Sequence, residues 1–146
     1  MESILLEQAD VIADQALHKG RELKLAPLTI VVLDAGGQMK VLKREDRASL
    51  LRPEIALGKA WGVLGMGFGG RELAWRAEQM PIFFTALNAM SAGRMVPLPG
   101  GVLVKNREGQ LIGSVGISGD TSDNDEICAV YGIEAAGLAA DTGRKD

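Results

Sequence analysis

The chain has 146 residues and a formal net charge of −3, with 24% charged and 47% hydrophobic residues. This length suits one domain with a hydrophobic core, and the composition argues against intrinsic disorder. The small acidic excess argues against a nucleic-acid partner, because phosphate backbones are bound by clustered basic residues. No apolar run is long enough to span a bilayer, and the N-terminus lacks the pattern of a signal peptide. We therefore expect one cytoplasmic domain over residues 1–146 with no membrane partner.

The first half of the chain predicts a helix, a hairpin and further helices. Apolar residues at spacings of four and three predict an amphipathic helix over residues 4–22. Residues 28–33 predict a buried strand, because they are rich in β-branched residues and too short for a typical helix. Turn-forming residues follow, and residues 39–44 predict a second strand that completes a hairpin. Three helical segments follow, over residues 52–63, 71–79 and 82–91.

The second half predicts another hairpin and a final helix. Residues 102–105 and 111–117 predict strands on either side of a turn. The final helix is predicted to begin at Ser122, which suits the N-cap position, with acidic residues at the positive end of the helix dipole. The order helix, hairpin, helices, hairpin, helix predicts an α+β fold with a mostly antiparallel sheet.

The glycine-rich segment 65–70 matches the G-x-G-x-x-G pattern of dinucleotide-binding proteins. That pattern binds a pyrophosphate only where it lies between a strand and a helix. The residues before it predict a helix instead. We therefore expect this segment to join two helices and to bind no nucleotide.

Cys128 and His18 are the single cysteine and the single histidine of the chain. They cannot make a closed zinc site, and the acidic residues near Asp120 lack the spacing of a calcium loop, so we expect no structural metal. Cys128 is interpreted as a small apolar residue on a helix. His18 is interpreted as a surface histidine, with axial ligation of a haem iron as the functional alternative.

Charged residues in two parts of the chain are candidate binding or catalytic groups. Arg44 ends a predicted strand and has the planar fork that matches carboxylates, although a solvated charge run is the simpler interpretation. Lys59 lies among apolar residues, and burial would lower its pKa. Asp125 and Glu126 open the last helix, either as helix-stabilising residues or as an acid or base. Lys59, Asp125 and Glu126 are the candidate catalytic residues.

Several short motifs, in order along residues 31–138, resemble those of one known family. They are Val31-Val32-Leu33-Asp34-Ala35-Gly36-Gly37, Arg44-Glu45-Asp46, Lys59-Ala60, Pro99-Gly100-Gly101-Val102, Ile112-Gly113-Ser114-Val115-Gly116-Ile117-Ser118-Gly119 and Asp125-Glu126. Together they resemble the GlcG/HbpS-like haem-binding family, which includes the C-terminal domain of PduO-type cobalamin adenosyltransferases. The resemblance implies a sheet of about five antiparallel strands, flanked by helices and assembled into homo-oligomers.

The resemblance implies less about function. The leading hypothesis is a homo-oligomeric small-ligand-binding protein, with haem or a related tetrapyrrole as the first candidate ligand and His18 as its candidate axial residue. The alternative is an enzyme or accessory protein acting on a small organic acid, in which Arg44 and Lys59 hold a carboxylate and Asp125 or Glu126 moves a proton. A scaffold oligomer without a ligand is the third hypothesis.

The candidate pocket is placed where the second strand, the Lys59 helix, the loop at 97–102 and the last helix meet, near a subunit boundary. The strand that ends at Gly119 leads into a helix whose free N–H groups favour an anion. Glycines within that strand permit close approach of a ligand or of another backbone. The expected lining residues are Arg44, Lys59, Gly100, Gly101, Gly119, Asp125 and Glu126.

Overall fold

The computed structural model describes residues 2–145 of the chain. Its helices are α1 (Leu6–Glu22), α2 (Arg52–Met66), α3 (Gly70–Gln79), α4 (Pro81–Met90) and α5 (Ser122–Ala135). Its strands are β1 (Thr29–Asp34), β2 (Met39–Arg44), β3 (Gly101–Lys105), β4 (Leu111–Ser118) and β5 (Ala139–Asp141). Within this part of the chain, no helix combines the length and apolar character that crossing a lipid bilayer requires.

All five strands form one antiparallel sheet in the order β2-β1-β4-β3-β5. The predicted α+β class and antiparallel pairing are therefore confirmed. The two hairpins join through β1 and β4, where Thr29 pairs with Ser118 and Asp34 with Gly113. The sequence patterns do not indicate the position of the fifth strand, because its residues, Ala139–Asp141, have low β-propensity. It forms by pairing with β3.

Helices cover both faces of the sheet. On one face, α1 and α5 pack over a core that contains Ile12, Val32 and Val115. On the other face, α2 lies against Val31 and Leu33 of β1. The alternation of side chains along β1 accounts for this division, because successive residues of a strand point to opposite faces.

A glycine in β4 brings α2 very close to the sheet. A Cβ atom at Gly116 would lie 2.0 Å from the carbonyl oxygen of Ala56 in α2. The glycines of this strand were expected to permit close approach either of a ligand or of another backbone. At Gly116 the structure shows close approach of the α2 backbone.

The glycine-rich segment joins α2 to α3. Gly67 ends α2 with a left-handed φ of 79°, which glycine adopts at no steric cost, and its N–H donates to the carbonyl of Val63. Val63 and Leu64 lie inside α2, so no strand precedes the glycines. The strand-to-helix setting of a dinucleotide site is therefore not formed here.

The start of α5 differs by one residue from the prediction. Thr121, not Ser122, is the N-cap, and its hydroxyl accepts a hydrogen bond from the N–H of Asn124. Either hydroxyl suits this position chemically. The choice depends on where the extended backbone after β4 turns into the helix, and that turn was not evident from the sequence.

Candidate functional site

Lys59 of α2 and Asp125 of α5 meet inside the protein. The Lys59 Nζ donates to Asp125 Oδ2 at 3.2 Å and to the carbonyl oxygen of Ile117 at 2.9 Å. The other carboxylate oxygen of Asp125 accepts the N–H of Asp120 at 3.0 Å. The two side chains are only 3% and 1% exposed. Three elements, α2, β4 and α5, are therefore connected through one ammonium group.

Two glycines make room for this lysine. Gly100 has a φ of 105°, and a Cβ atom there would lie 2.8 Å from Lys59 Nζ. A Cβ atom at Gly101 would lie 2.6 Å from the carbonyl oxygen of Lys59. The structure thus brings together Lys59, Gly100, Gly101 and Asp125, four of the seven residues expected to line a pocket.

Burial controls the ionisation of the pair. Desolvation lowers the pKa of Lys59, and the nearby positive charge of Arg52 lowers it further, while Asp125 opposes the shift. Desolvation likewise raises the pKa of Asp125, against the influence of Lys59. Both shifts favour the neutral forms, as expected for charges removed from water. With so little exposed surface, the pair meets a substrate only after the residues covering it move.

Glu126, the neighbour of Asp125, does not join this cluster. Its carboxylate oxygens Oε2 and Oε1 accept hydrogen bonds from Nε and Nη2 of Arg71, each at 3.0 Å. Oε1 also accepts a longer hydrogen bond from Nη2 of Arg144, at 3.4 Å. The hydrogen bonds with Glu126, and a further one with Asp123, raise the pKa of Arg71. Consecutive helical residues point about 100° apart, which is why Asp125 and Glu126 serve different partners. The role of Arg71 was missed because 55 residues separate it from Glu126.

Arg44 and Lys59 bind different partners, so the pocket expected to contain both stays a prediction. Strand β1 lies between β2 and β4, and its residue Thr29 pairs with both Arg44 and Ser118. The Arg44 Nη1 donates to the carbonyl of Ala48 at 2.9 Å. Its side chain lines a different groove of about 440 Å³, together with Arg21, Pro27, Glu45 and Asp46.

Gly119 lies at the end of β4, against the segment that leads into β1. A Cβ atom there would lie 2.2 Å from the carbonyl oxygen of Pro27. The next residue, Asp120, donates its backbone N–H to Asp125. Gly119 is therefore connected to the Lys59–Asp125 pair through the backbone. Close backbone packing explains a glycine at this position.

His18 lies on the solvent side of α1. It is exposed, and it is two residues from Ala16, which is fully buried. Two residues correspond to about 200° around a helix, so the imidazole points away from the core. Within residues 2–145, no group of three His, Cys, Asp or Glu side chains is placed to hold a metal ion.

A broad apolar groove lies between α3, α4 and the loop that leads to β3. It has a volume of about 680 Å³, and none of its ten lining residues carries a charge. Phe84 and Met95 form part of its wall and belong to a local hydrophobic cluster. Next to Met95, Arg94 stacks on the ring of Trp61 at 4.3 Å. This groove was missed because its residues show no motif.

Helix α4 itself is apolar and largely uncovered. It contains no charged residue, and only Phe84 of its ten residues is buried. Ile82 is 86% exposed and Met90 is 78% exposed. Contiguous exposed apolar surface of this kind is characteristic of interaction sites.

Comparison with known proteins gives these features a family context. The family model described as "Haem degrading protein HbpS-like" matches residues 4–134. The corrinoid adenosyltransferase PduO of Citrobacter freundii is 31% identical over 133 residues, which cover 91% of this chain but only 39% of that protein. An uncharacterised 15.0 kDa protein of Citrobacter freundii, from the dhaT-dhaS intergenic region, is 30% identical over 132 residues and 91% of its length.

The fold is also found in a solved structure. A crystal structure described as a PduOC:heme complex matches with a TM-score of 0.85 and 26% sequence identity. The match covers 97% of this chain and 99% of that one. The architecture described above is therefore that of a protein crystallised with haem.

Proposed function

This chain belongs to the HbpS-like family, and on that premise we propose that it is a homo-oligomeric small-ligand-binding protein whose ligand is a tetrapyrrole, with haem as the first candidate. The family resemblance noted from the sequence motifs is thereby confirmed. The proposal for this chain rests on one observation above all, the apolar groove beside α4.

The groove fits a large, flat, mostly apolar ligand. Its volume of about 680 Å³ lies within the range of small-molecule sites, which are lined mainly by apolar side chains with few polar groups. Met95 offers a thioether sulfur, a known axial ligand of haem iron. Arg94, beside it in the chain, does not line the groove, because it stacks on Trp61 and donates to the Ser91 carbonyl at 2.8 Å. When bound, haem would supply iron chemistry that depends on its axial ligand.

His18 is the less favoured axial residue. It does not line the groove beside α4, and it points to solvent from α1. One exposed imidazole without a surrounding apolar wall does not enclose a porphyrin. His18 would serve as a haem ligand only where a second copy of the chain covers that side of α1.

The exposed side of α4 supports the homo-oligomeric part of the proposal. Ile82, Phe83 and Met90 present apolar surface on a helix without charges. A monomer rarely leaves such a surface uncovered. Because the groove opens beside the same helix, a second copy packed on α4 would also cover the ligand.

A haem titration followed by the Soret band tests the ligand. We expect a saturable Soret shift for the natural protein, and loss or displacement of that shift in Met95→Leu, which keeps the apolar volume but removes the sulfur. Met39→Leu, at an exposed methionine of β2, is the matched control and should behave like the natural protein. No shift at micromolar haem contradicts the proposal. A shift abolished by His18→Ala but kept in Met95→Leu moves the site to α1.

Sedimentation velocity tests the assembly. We expect the natural protein to sediment as an oligomer and Ile82→Lys to shift it toward the monomer, because a buried unpaired charge is costly. Leu50→Lys is the control, since Leu50 is equally exposed, at 86%, but lies in the turn before α2. A natural protein that is monomeric at all concentrations contradicts the homo-oligomer.

The alternative, an enzyme or accessory protein acting on a small organic acid, ranks second. It requires Arg44 and Lys59 at one carboxylate with Asp125 or Glu126 as the proton-transfer group; Asp125 binds Lys59, whereas Arg44 and Glu126 have other partners. One observation still favours an acid as ligand: Arg44, which has no ion-pair partner among residues 2–145, lines an open groove, where Arg21 is already paired with Glu45 and Asp46 also lies.

A further inference from the structure

The starting observation is a buried hydroxyl group without a partner. Thr29 is fully buried, and its Oγ1 is the one buried side-chain N or O atom of residues 2–145 that makes no hydrogen bond. Buried polar atoms are nearly always paired, and an unpaired hydroxyl costs stability. A partner from outside the chain, such as a ligand or a water molecule, would remove this cost.

Thr29 lies between two residues that are connected with arginine side chains. Thr29 pairs with Arg44 on β2 and with Ser118 on β4, and residues directly opposite each other in a sheet share a face. Arg52, in the first turn of α2, donates from Nη1 to Ser118 Oγ at 3.0 Å. Thr29 thus lies in a row between the Arg44 side chain and the Ser118 hydroxyl that holds Arg52.

Neither guanidinium is neutralised. In the described part of the chain, no carboxylate lies within 4.0 Å of Arg44 or Arg52, whereas other arginines such as Arg71 are paired with acids. Both guanidinium groups donate to uncharged oxygen atoms. Arg44 donates to the backbone carbonyls of Glu45 and Ala48, and Arg52 donates to the hydroxyls of Ser49 and Ser118. Each guanidinium has five N–H donors, so several remain available.

The acidic side chains nearby form no ion pair with Arg44 or Arg52 within residues 2–145. Asp46 lines the same groove as Arg44, and Glu54 lies in the first turn of α2. Glu45, which follows Arg44 in the chain, is engaged elsewhere, since it accepts the Leu28 N–H at 2.7 Å and pairs with Arg21 at 3.0 Å. Two arginine forks and an unpaired hydroxyl donor are together the components of an oxyanion site.

We propose that a small oxyanion, a carboxylate or phosphate group, binds between Arg44 and Arg52 and accepts a hydrogen bond from Thr29 Oγ1. The anion enters through the groove of about 440 Å³ that Arg44 lines. Arg44 exchanges the neutral Ala48 carbonyl for the charged ligand, which forms the stronger hydrogen bond. The site is independent of the tetrapyrrole proposal, and it supplies the acid-binding site on which the second candidate function rests.

The test is thermal unfolding at constant ionic strength in sodium chloride, sodium acetate or inorganic phosphate. A ligand that binds only the native state raises Tm with concentration, so acetate or phosphate should raise it above the value in chloride. Thr29→Val keeps the shape but removes the hydroxyl. This variant should be more stable than the natural protein in chloride, and its apparent affinity for the anion should fall about tenfold. Arg52→Gln should lose the anion effect.

Arg107→Gln is the matched control, because Arg107 is an exposed arginine in the turn between β3 and β4. It should keep the full anion effect. A shift with acetate alone identifies a carboxylate ligand, and a shift with phosphate alone identifies a phosphate group. The proposal is overturned when neither anion stabilises the natural protein, or when Thr29→Val and Arg52→Gln respond as Arg107→Gln does. The haem titration should be unchanged in Thr29→Val, so the two proposals fail separately.

Discussion

Lys59 and Asp125 form an ion pair that is almost completely enclosed, with Nζ and Oδ2 separated by 3.2 Å. Enclosing two charges costs solvation energy, and this cost is offset only where further hydrogen bonds satisfy both groups. Here the Ile117 carbonyl and the Asp120 N–H provide those bonds. The pair therefore holds α2, the end of β4 and the start of α5 in one relative position.

Asp125→Asn should lower the free energy of unfolding by about 3–5 kcal/mol, because it leaves the Lys59 ammonium buried without a counter-charge. Urea unfolding measures the change. Asp123→Asn, in the same helical turn, removes an exposed contact to Arg71 and should cost at most about 1 kcal/mol. Equal losses of unfolding free energy for the two substitutions would contradict this expectation, because they would show that a buried ion pair costs no more to break than an exposed one.

Lys59→Met should produce a stability deficit that shrinks as the pH falls. The pKa of Asp125 is already raised by burial, and loss of the lysine removes the charge that opposes this shift. The native variant then binds a proton that the unfolded chain releases, so its stability relative to the natural protein increases with acidity. Unfolding free energies of both proteins across the neutral to mildly acidic range measure this. A deficit independent of pH would contradict the assignment.

Cys128 should be unreactive in the native protein. Burial, assisted by the nearby negative charge of Asp125, raises the pKa of its thiol from 9.0 to about 11. Since the thiolate is the reactive form, an aromatic disulfide reagent should label Cys128 only on unfolding. Between pH 9.0 and about 11 the native protein keeps the thiol proton that the unfolded chain releases. The stability that the protonated thiol contributes is therefore lost as the pH rises through that range. Rapid native-state labelling at neutral pH would refute this.

Gly116→Ala should destabilise the protein by about 1–3 kcal/mol, because the new methyl group meets the Ala56 carbonyl and forces α2 away from the sheet. Gly65→Ala is the control, since a Cβ atom there meets nothing within 4 Å. Alanine at that helical position should stabilise by about 0.5–1 kcal/mol. Thermal or urea unfolding distinguishes the two. Equal tolerance at both positions would mean that α2 does not lie against β4 as described.

Local patterns predicted most of the elements but not the way they combine. The β-branched run at β1 and the apolar neighbours of Lys59 both indicated burial, and both positions are buried. The placement of Arg44 on β2, with β1 between it and β4, depends on strand order, which hairpins alone do not determine. The hydrogen bonds of Arg71 with Glu126 connect the side chains of two helices that are distant in sequence, α3 and α5, and no sequence signal indicates that these helices begin near each other.

The outermost strands of the sheet have a consequence for how copies of this chain meet. Strand β2 carries Lys40, Lys43 and Arg44, and Lys43 is paired with Asp14 of α1. Strand β5, on the opposite side, is only three residues long. Charged or very short edge strands resist backbone pairing with another chain. In the proposed homo-oligomer we therefore expect the copies to meet through side-chain surfaces, and the protein can be apolar over α4 without offering a template for β-aggregation.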